Sequence, residues 1–398
     1  YRVGDLIGRS GLEEYYNDYL KGEDGGTQVQ VDNRGRQVNI LGMKEPSSGR
    51  DLFLTIDGRL QLACDEILGS RRGAVVVMDP ATGEVLALAS HPAFDPNVFV
   101  ESGASRERLM LIRDRRGRPL SDRAISGLYA PGSVFKVVTA TAAMEQGKVS
   151  ESTTFACGGS FSLGGSVFNC WKDGGHGPQT LRDALMNSCN VYFYNAGRKA
   201  GVDAIERYAR AYGFGRPTGI DLPDEVGGIA PGKAWKRQRM KDPWYEGETV
   251  NYAIGQGYLV TTPIQVLNMI AAIANGGSLV KPFIVRKIDE TPAAGVKRRR
   301  VNVSEHTLDV IRQGLYRVVN SDGGTGKHAR VEGVEVAGKT GTAQNPQGAT
   351  HAWFTGYAPY KDPALCIVVF LEHGGKGGLG AADIARGVFS KAKEIGYF

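Results

Sequence analysis

A lysine inside a run that otherwise reads as core restricts this chain more than any other feature. In "LYAPGSVFKVVTATAAM", Leu128 to Met144, a Pro-Gly turn leads into a nearly all-apolar helix over about Val134–Gln146, with Lys136 near its start. A charged amine on a buried helix is costly, so the fold must give it a polar cleft or keep it neutral. Ser133 stands at the helix start, where backbone N–H groups lack partners and the dipole favours negative charge. Lys136, three residues on, projects from the same face. A neutral lysine beside a serine hydroxyl is a base beside a nucleophile. The same S-x-x-K spacing recurs at Ser278/Lys281 and Ser390/Lys393. The first of these reads as a Gly-Gly loop running into Pro282, the second as the wet face of a terminal amphipathic helix, so neither offers that environment.

With 398 residues, 41% hydrophobic and 23% charged, the chain can bury one large domain with an appendage, or two domains. The net charge of +6 is modest, and the densest basic run, Lys297–Arg300, reads as a solvated loop; no nucleic-acid partner is expected. The longest apolar run, Leu365–Leu371, has strand length and falls short of the roughly 20 residues of a membrane helix. Tyr1 is preceded by neither Met nor a signal-peptide pattern, so the chain is expected to begin inside a longer protein.

The first fifty residues differ in texture from the rest. Ser10 and Glu13 have capping-box spacing for a short helix that Gly22 would end. Strand-like pieces follow at Gln28–Val31 and Gln37–Leu41 around the turn Asp32-Asn33-Arg34-Gly35. Residues 1–50 cannot bury a core of their own and read as part of an accessory domain or stalk. From Asp51 on, "DLFLTID" predicts a strand, Arg59–Leu68 a helix, and "GAVVVMDPATGEVLALAS" a β-hairpin. Helices are predicted at about Leu181–Ala200, Pro263–Asn275 and Ala381–Ile395, and a strand pair at "HAWFTGYAP" and "ALCIVVFLEHG". Strands at both ends with helices between predict an α+β domain, 51–398, whose first and last segments share one antiparallel sheet.

Two further triplets follow Ser133-x-x-Lys136 in order. Ser188-Cys189-Asn190 is the only S-x-N, and Lys339-Thr340-Gly341 the only K-T-G, with Thr342 next to it. S-x-x-K, an S-D-N-type triplet and K-T-G together mark penicillin-binding proteins and class A β-lactamases. Position 189 departs from that triplet, being Cys rather than Asp. Longer segments, "RAISGLYAPGSVFK", "AIGQGYLVTTPIQ", "AGKTGTAQ" and "HAWFTGYAP", resemble class B penicillin-binding proteins, and "CWKDGGHG" with "HAWF" resembles the elongation type rather than the division type. "GRSGLEEYYNDYLKGEDGG" resembles the end of that family's N-terminal pedestal.

The resemblance implies a penicillin-binding, serine β-lactamase-like transpeptidase domain: an antiparallel sheet of about five strands flanked by helices, with a remnant of a pedestal. It implies a D,D-transpeptidase anchored in the inner membrane by an N-terminal helix outside this chain and facing the periplasm. Its substrates would be peptidoglycan stem peptides, its inhibitors β-lactams, and its partner a RodA-type glycosyltransferase in the elongation complex. In this reading Lys136 deprotonates Ser133, and the N–H groups of Ser133 and Thr342 hold the oxyanion. Ser188 relays a proton, Asn190 binds the peptide backbone, and Lys339 supplies charge that lowers the Lys136 pKa. Lys339, Thr340, Gly341 and Thr342 form the strand that receives the substrate carboxylate. A D,D-carboxypeptidase or a β-lactam sensor of the same fold would share these residues. A class A β-lactamase would need an E-x-x-L-N-type loop between Asn190 and Lys339, and none occurs.

Three of the five cysteines cluster with a histidine in sequence: Cys157, Cys170, His176 and Cys189. Three thiolates and an imidazole complete a tetrahedral zinc set with no open position, which means structure rather than catalysis. The competing reading is a Cys157–Cys170 disulfide in an oxidising periplasm. Cys64 and Cys366 read as core. Trp171, Trp353, His351 and His373 are candidates for lining the cleft, with packing as the alternative for each.

Overall fold

The computed structural model describes residues 7–101, 103–293, 295–345 and 348–398; Tyr1 lies outside them. Its centre is one five-stranded antiparallel sheet formed by β1 (Gly73–Met78), β2 (Val85–His91), β3 (Ala337–Ala343), β4 (His351–Ala358) and β5 (Leu365–Leu371), in the order β3-β4-β5-β1-β2. The two ends of the chain therefore meet, with Cys366 opposite Met78 and Leu371 opposite Gly73. The lesson of period 2 is plain in β1 and β5. Ala74, Val76, Met78, Cys366, Val368 and Phe370 enter the core cluster that holds the Lys136 helix. Val75, Val77, Ile367, Val369 and Leu371 enter a second core under the Gly58–Leu68 and Gly380–Glu394 helices. A strand buried on both faces reads as a continuous apolar run, as these do.

Several elements differ from expectation for local reasons. Predicted helix 181–200 is two helices, Leu181–Met186 and Asn190–Ala200. Between them Ser188 adopts a left-handed backbone, φ 51°, which no α-helix tolerates. "DLFLTID" gives only a short, mostly exposed strand, Leu52–Leu54, which pairs with Val285–Ile288 outside the main sheet; Asp57 then caps the following helix through Arg59 N–H. The basic run is a strand, Arg298–Arg300, paired with Ser278–Val280, rather than a loop. Arg299 and Arg300 donate to the carbonyls of Ala211 and Gly276.

In the N-terminal segment the Ser10 side chain makes no capping bond, and the helix stops at Tyr15. The ribbon Gly26–Val31/Gln37–Lys44 forms as expected, with Asp32 accepting from Arg34 and Arg36 N–H at its turn. The segment is tied to the large domain by Tyr16, whose hydroxyl donates to the buried Asp221 at 2.8 Å. Asp221 also accepts from Ile284 and Val285 N–H. Among the described residues no helix is long and apolar enough to cross a membrane.

Candidate active site and cysteine cluster

From Pro131 to Ala143 every residue is buried except Ser133. Gly132–Phe135 forms a 3₁₀ turn that runs into the helix Lys136–Glu145, so the serine sits on the tighter first turn and its side chain alone reaches solvent. The turn packs on the K-T-G strand, and Gly341 permits the approach. A Cβ built there would lie 2.9 Å from Pro131 O and 3.0 Å from Val134 Cγ1. β3 is an edge of the sheet, so half its backbone groups face away from β4 and are free to meet an extended ligand. Thr342 is exposed on that strand. Thr340 is 6% exposed, and its hydroxyl donates to Thr325 Oγ1 at 3.1 Å.

Lys136 is wholly buried one turn below Ser133. Burial disfavours its charge and brings its pKa down to about 7, against the raising effect of nearby Cys189 and Cys170. Its Nζ donates to Ser188 O at 2.7 Å, Asn190 Oδ1 at 2.7 Å and Ser188 Oγ at 3.3 Å. Among the described residues Ser133 Oγ has no hydrogen-bond partner. The amine is thus shared with the S-x-N break rather than bonded directly to Ser133. Lys339, also wholly buried, donates to Thr340 O at 3.1 Å. Its pKa is pushed well down by burial and then by Lys136. Burial is thus the leading cause at both lysines, and the charge of Lys136 adds to it at Lys339.

The break at Ser188 is pinned from outside. Trp171, 55% exposed, donates its Nε1–H to Asn187 O at 2.9 Å and Ser188 O at 3.2 Å. Asn190 Nδ2 donates to Asn169 O at 3.3 Å, and Tyr194 OH donates to the same carbonyl at 3.1 Å. The sequence marked Ser188 and Asn190 but gave Trp171 no clear role, because an indole facing solvent carries no periodic signal. Trp353 is core, with Nε1–H donating to Ala130 O at 3.1 Å. His351 and His373 lie together at the ends of β4 and β5, with rings 5.2 Å apart and His373 N–H donating to His351 Nδ1.

The four donor atoms of Cys157, Cys170, His176 and Cys189 lie within 4.8 Å of one another. His176 Nδ1 is 3.6 Å from Cys157 Sγ and 3.5 Å from Cys170 Sγ. Zinc–ligand bonds of the usual length at tetrahedral angles give an N···S edge of about 3.6 Å, so the donor set fits that ion. All five cysteines are unpaired, which leaves the expected alternative, a Cys157–Cys170 disulfide, unmade. Cys170 and Cys189 titrate as a pair: the neighbouring thiol lowers Cys170, while the same contact and burial raise Cys189. The glycines around the set serve chain crossing: a Cβ on Gly175, φ 80°, would fall 2.0 Å from Cys157 O. Cys64 and Cys366 are buried in the cores, as expected.

Comparison with known proteins agrees with this geometry. The penicillin-binding protein transpeptidase domain matches residues 73–390, and the penicillin-binding protein dimerisation domain matches residues 1–54. Peptidoglycan D,D-transpeptidase MrdA of Haemophilus influenzae is 36% identical over 407 residues, covering 96% of this chain and 62% of the relative. The Escherichia coli K12 protein of the same name is 35% identical over 394 residues, covering 93% and 62%. The chain thus spans about three fifths of the length of these relatives. Helicobacter pylori PBP2, solved in complex with MreC, superposes with a TM-score of 0.90 at 34% identity, covering 98% of this chain and 73% of that one. Pseudomonas aeruginosa PBP2 in complex with WCK 5153 gives 0.86 at 33%, covering 96% and 83%.

Proposed function

The chain belongs to the penicillin-binding protein transpeptidase family, and from that premise we propose that it is a serine D,D-transpeptidase that cross-links peptidoglycan stem peptides during cell elongation. The observation that carries the reading is the partly exposed Ser133 on an otherwise buried turn, with an amine of pKa about 7 one turn below it. Neutral Lys136 takes the Ser133 proton as Oγ attacks the carbonyl between the two terminal D-alanines. The N–H groups of Ser133 and Thr342 hold the oxyanion. Collapse of the tetrahedral adduct breaks the C–N bond, and Lys136 returns the proton through Ser188 to the leaving amine. Asn190 binds the peptide backbone. The free carboxylate of the donor settles at Lys339, Thr340 and Thr342, and its charge offsets the burial that disfavours the Lys339 ammonium. The acyl-enzyme is then resolved by an amine from a second strand. A β-lactam follows the same first steps, but its leaving group stays tethered and the ester stalls.

Treatment with penicillin should add the mass of one β-lactam to the wild type and nothing to Ser133→Ala. An adduct on the variant, or none on the wild type, ends the reading. Product analysis with a donor peptide and an acceptor amine distinguishes transfer from the carboxypeptidase alternative.

Zinc in the Cys157, Cys170, His176 and Cys189 set is proposed on the fit of its donor distances. Bound there, it would supply a structural staple for the loop that carries Ser188 and Asn190. Metal analysis of protein purified without chelator should find one zinc per chain; none found removes it. The site on the periplasmic face, anchoring by a preceding membrane helix and work beside a RodA-type glycosyltransferase complete the proposal. Work in such a complex is supported by the PBP2 structure solved with MreC and by the structural match to a peptidoglycan synthase complex that coordinates polymerization and crosslinking.

A further inference from the structure

A largely buried ion pair that no motif marks joins the segment leading to Ser133 to the end of the sheet. Arg123, 2% exposed, donates from Nε to Glu372 Oε1 at 3.0 Å. Tyr129 OH donates to the same oxygen at 2.7 Å, and Arg72 Nε stands 4.0 Å from Oε2. Arg123 spends its other nitrogens on the carbonyls of Arg118 and Gly117, at 3.2 and 2.6 Å. Burial works against the Glu372 charge, but Tyr129 and Arg123 hold its carboxyl below the ordinary range. An ion pair in such a place gains little stability over a packed apolar pair, so what it secures is one geometry.

That geometry joins both walls of the cleft. Tyr129 leads into the nucleophile turn. Its backbone exchanges hydrogen bonds with Thr261 at 3.0 and 2.9 Å, and its ring lies on Phe370 with centroids 3.9 Å apart. Next to it Ala130 O accepts from Trp353, and Gly132 N–H donates to Gly255 O at 3.0 Å. On the other side, Glu372 follows β5 and opens the loop to Gly377, whose N–H donates to Thr342 Oγ1 at 3.3 Å. That loop has no slack, since a Cβ on Gly377 would lie 2.1 Å from Gly341 O.

We propose that Glu372, held by Arg123, is a positioning residue that clamps Tyr129 and so keeps the Ser133 turn in register with the Lys339–Thr342 strand. It touches no reacting atom and acts through Tyr129. The proposal rests on Ser133 being the nucleophile.

The test is saturation kinetics of a fluorescent penicillin, which separates initial binding from the acylation step. Tyr129→Phe and Glu372→Ala should slow acylation about 10- to 100-fold, with binding changed less than about twofold, as expected when a reacting group is displaced rather than lost. Glu372→Gln, which still accepts from Tyr129, should recover part of the rate. The double variant Tyr129→Phe/Glu372→Ala should be no slower than Glu372→Ala alone. Tyr16→Phe removes an equally short tyrosine–carboxylate bond, to Asp221 and away from the cleft, and should acylate at the wild-type rate. Wild-type acylation by Tyr129→Phe, additive losses in the double variant, or an equal loss in Tyr16→Phe overturns the clamp. If Glu372→Ala does not fold, Tyr129→Phe and Glu372→Gln decide. Label that survives Ser133→Ala defeats the nucleophile assignment instead, whatever Tyr129→Phe does.

Discussion

The segments of the proposed nucleophile and relay differ in what covers them. Around Ser133, residues 131–143 lie in the core, and only the serine side chain breaks the surface. Before Ser188, no residue from Gly158 to Asn169 is buried, and the strands there pair only with each other. The nucleophile is placed by packing, which is dense and resists displacement. The relay, Ser188 with φ 51°, is buried between two core helices, but the side it turns to the unburied hairpin is held by a few polar contacts and a cysteine–histidine cluster. A left-handed serine costs of order 1–3 kcal/mol and persists only where its surroundings over-determine it. The first arrangement should survive loss of any single polar contact, and the second should not.

The largest test of this contrast is Lys136, the one side chain that belongs to both. Lys136→Ala removes the base and also three donor contacts to Ser188 and Asn190. Loss of a positioned base costs about 10²–10⁴-fold, and disorder of the break adds to it. In the wild type, acylation should rise with pH through about 7, because the neutral amine is the active form and protons occupy it below that value. Single-turnover acylation from pH 5.5 to 9 checks this. A flat profile would mean that another group takes the Ser133 proton, and would leave Lys136 as a fastening for the break alone.

A middle-sized effect is expected at the cluster. Cys170→Ser, or treatment with a strong chelator, should slow acylation about 10-fold, the scale on which support around a metal site acts. The loop 157–189 should gain hydrogen exchange while the amides of Lys136–Glu145 stay protected. If the helix loses protection together with the loop, the two regions are one cooperative unit and the contrast fails.

The same contrast decides how far the sequence could be read. Strands β1 and β5 were legible because burial on both faces leaves unbroken apolar runs, and Ser133 because its neighbours are all core. Helix propensity alone carries Leu181–Ala200 through without interruption. What breaks it is tertiary: Lys136 and Trp171 both draw on Ser188 O, at 2.7 and 3.2 Å. The Ser188–Asn190 triplet could therefore be recognised as a motif while its backbone could not. The Arg123–Glu372–Tyr129 network left no trace either, since it joins residues far apart in the chain that share no spacing rule. The burial of Lys339 was also out of reach: a motif names a lysine, but only the fold states how far burial disfavours its charge.

The smallest test asks which polar contact holds the break. Trp171→Phe keeps the ring and removes Nε1–H, which freed of its partners leaves Asn187 O to water and Ser188 O to Lys136. A hydrogen bond at an exposed position contributes about 0.5–1.5 kcal/mol, so acylation should fall by roughly 2- to 10-fold at most. The ring's edge contact with His176, at 5.2 Å between centroids, survives the change. An effect below that of Cys170→Ser would rank the cluster as the main staple, with the indole trimming the register of Ser188. An effect as large as Cys170→Ser would reverse the ranking, and the loop would then be fastened at its rim by Trp171 rather than at its base by the three thiols and His176.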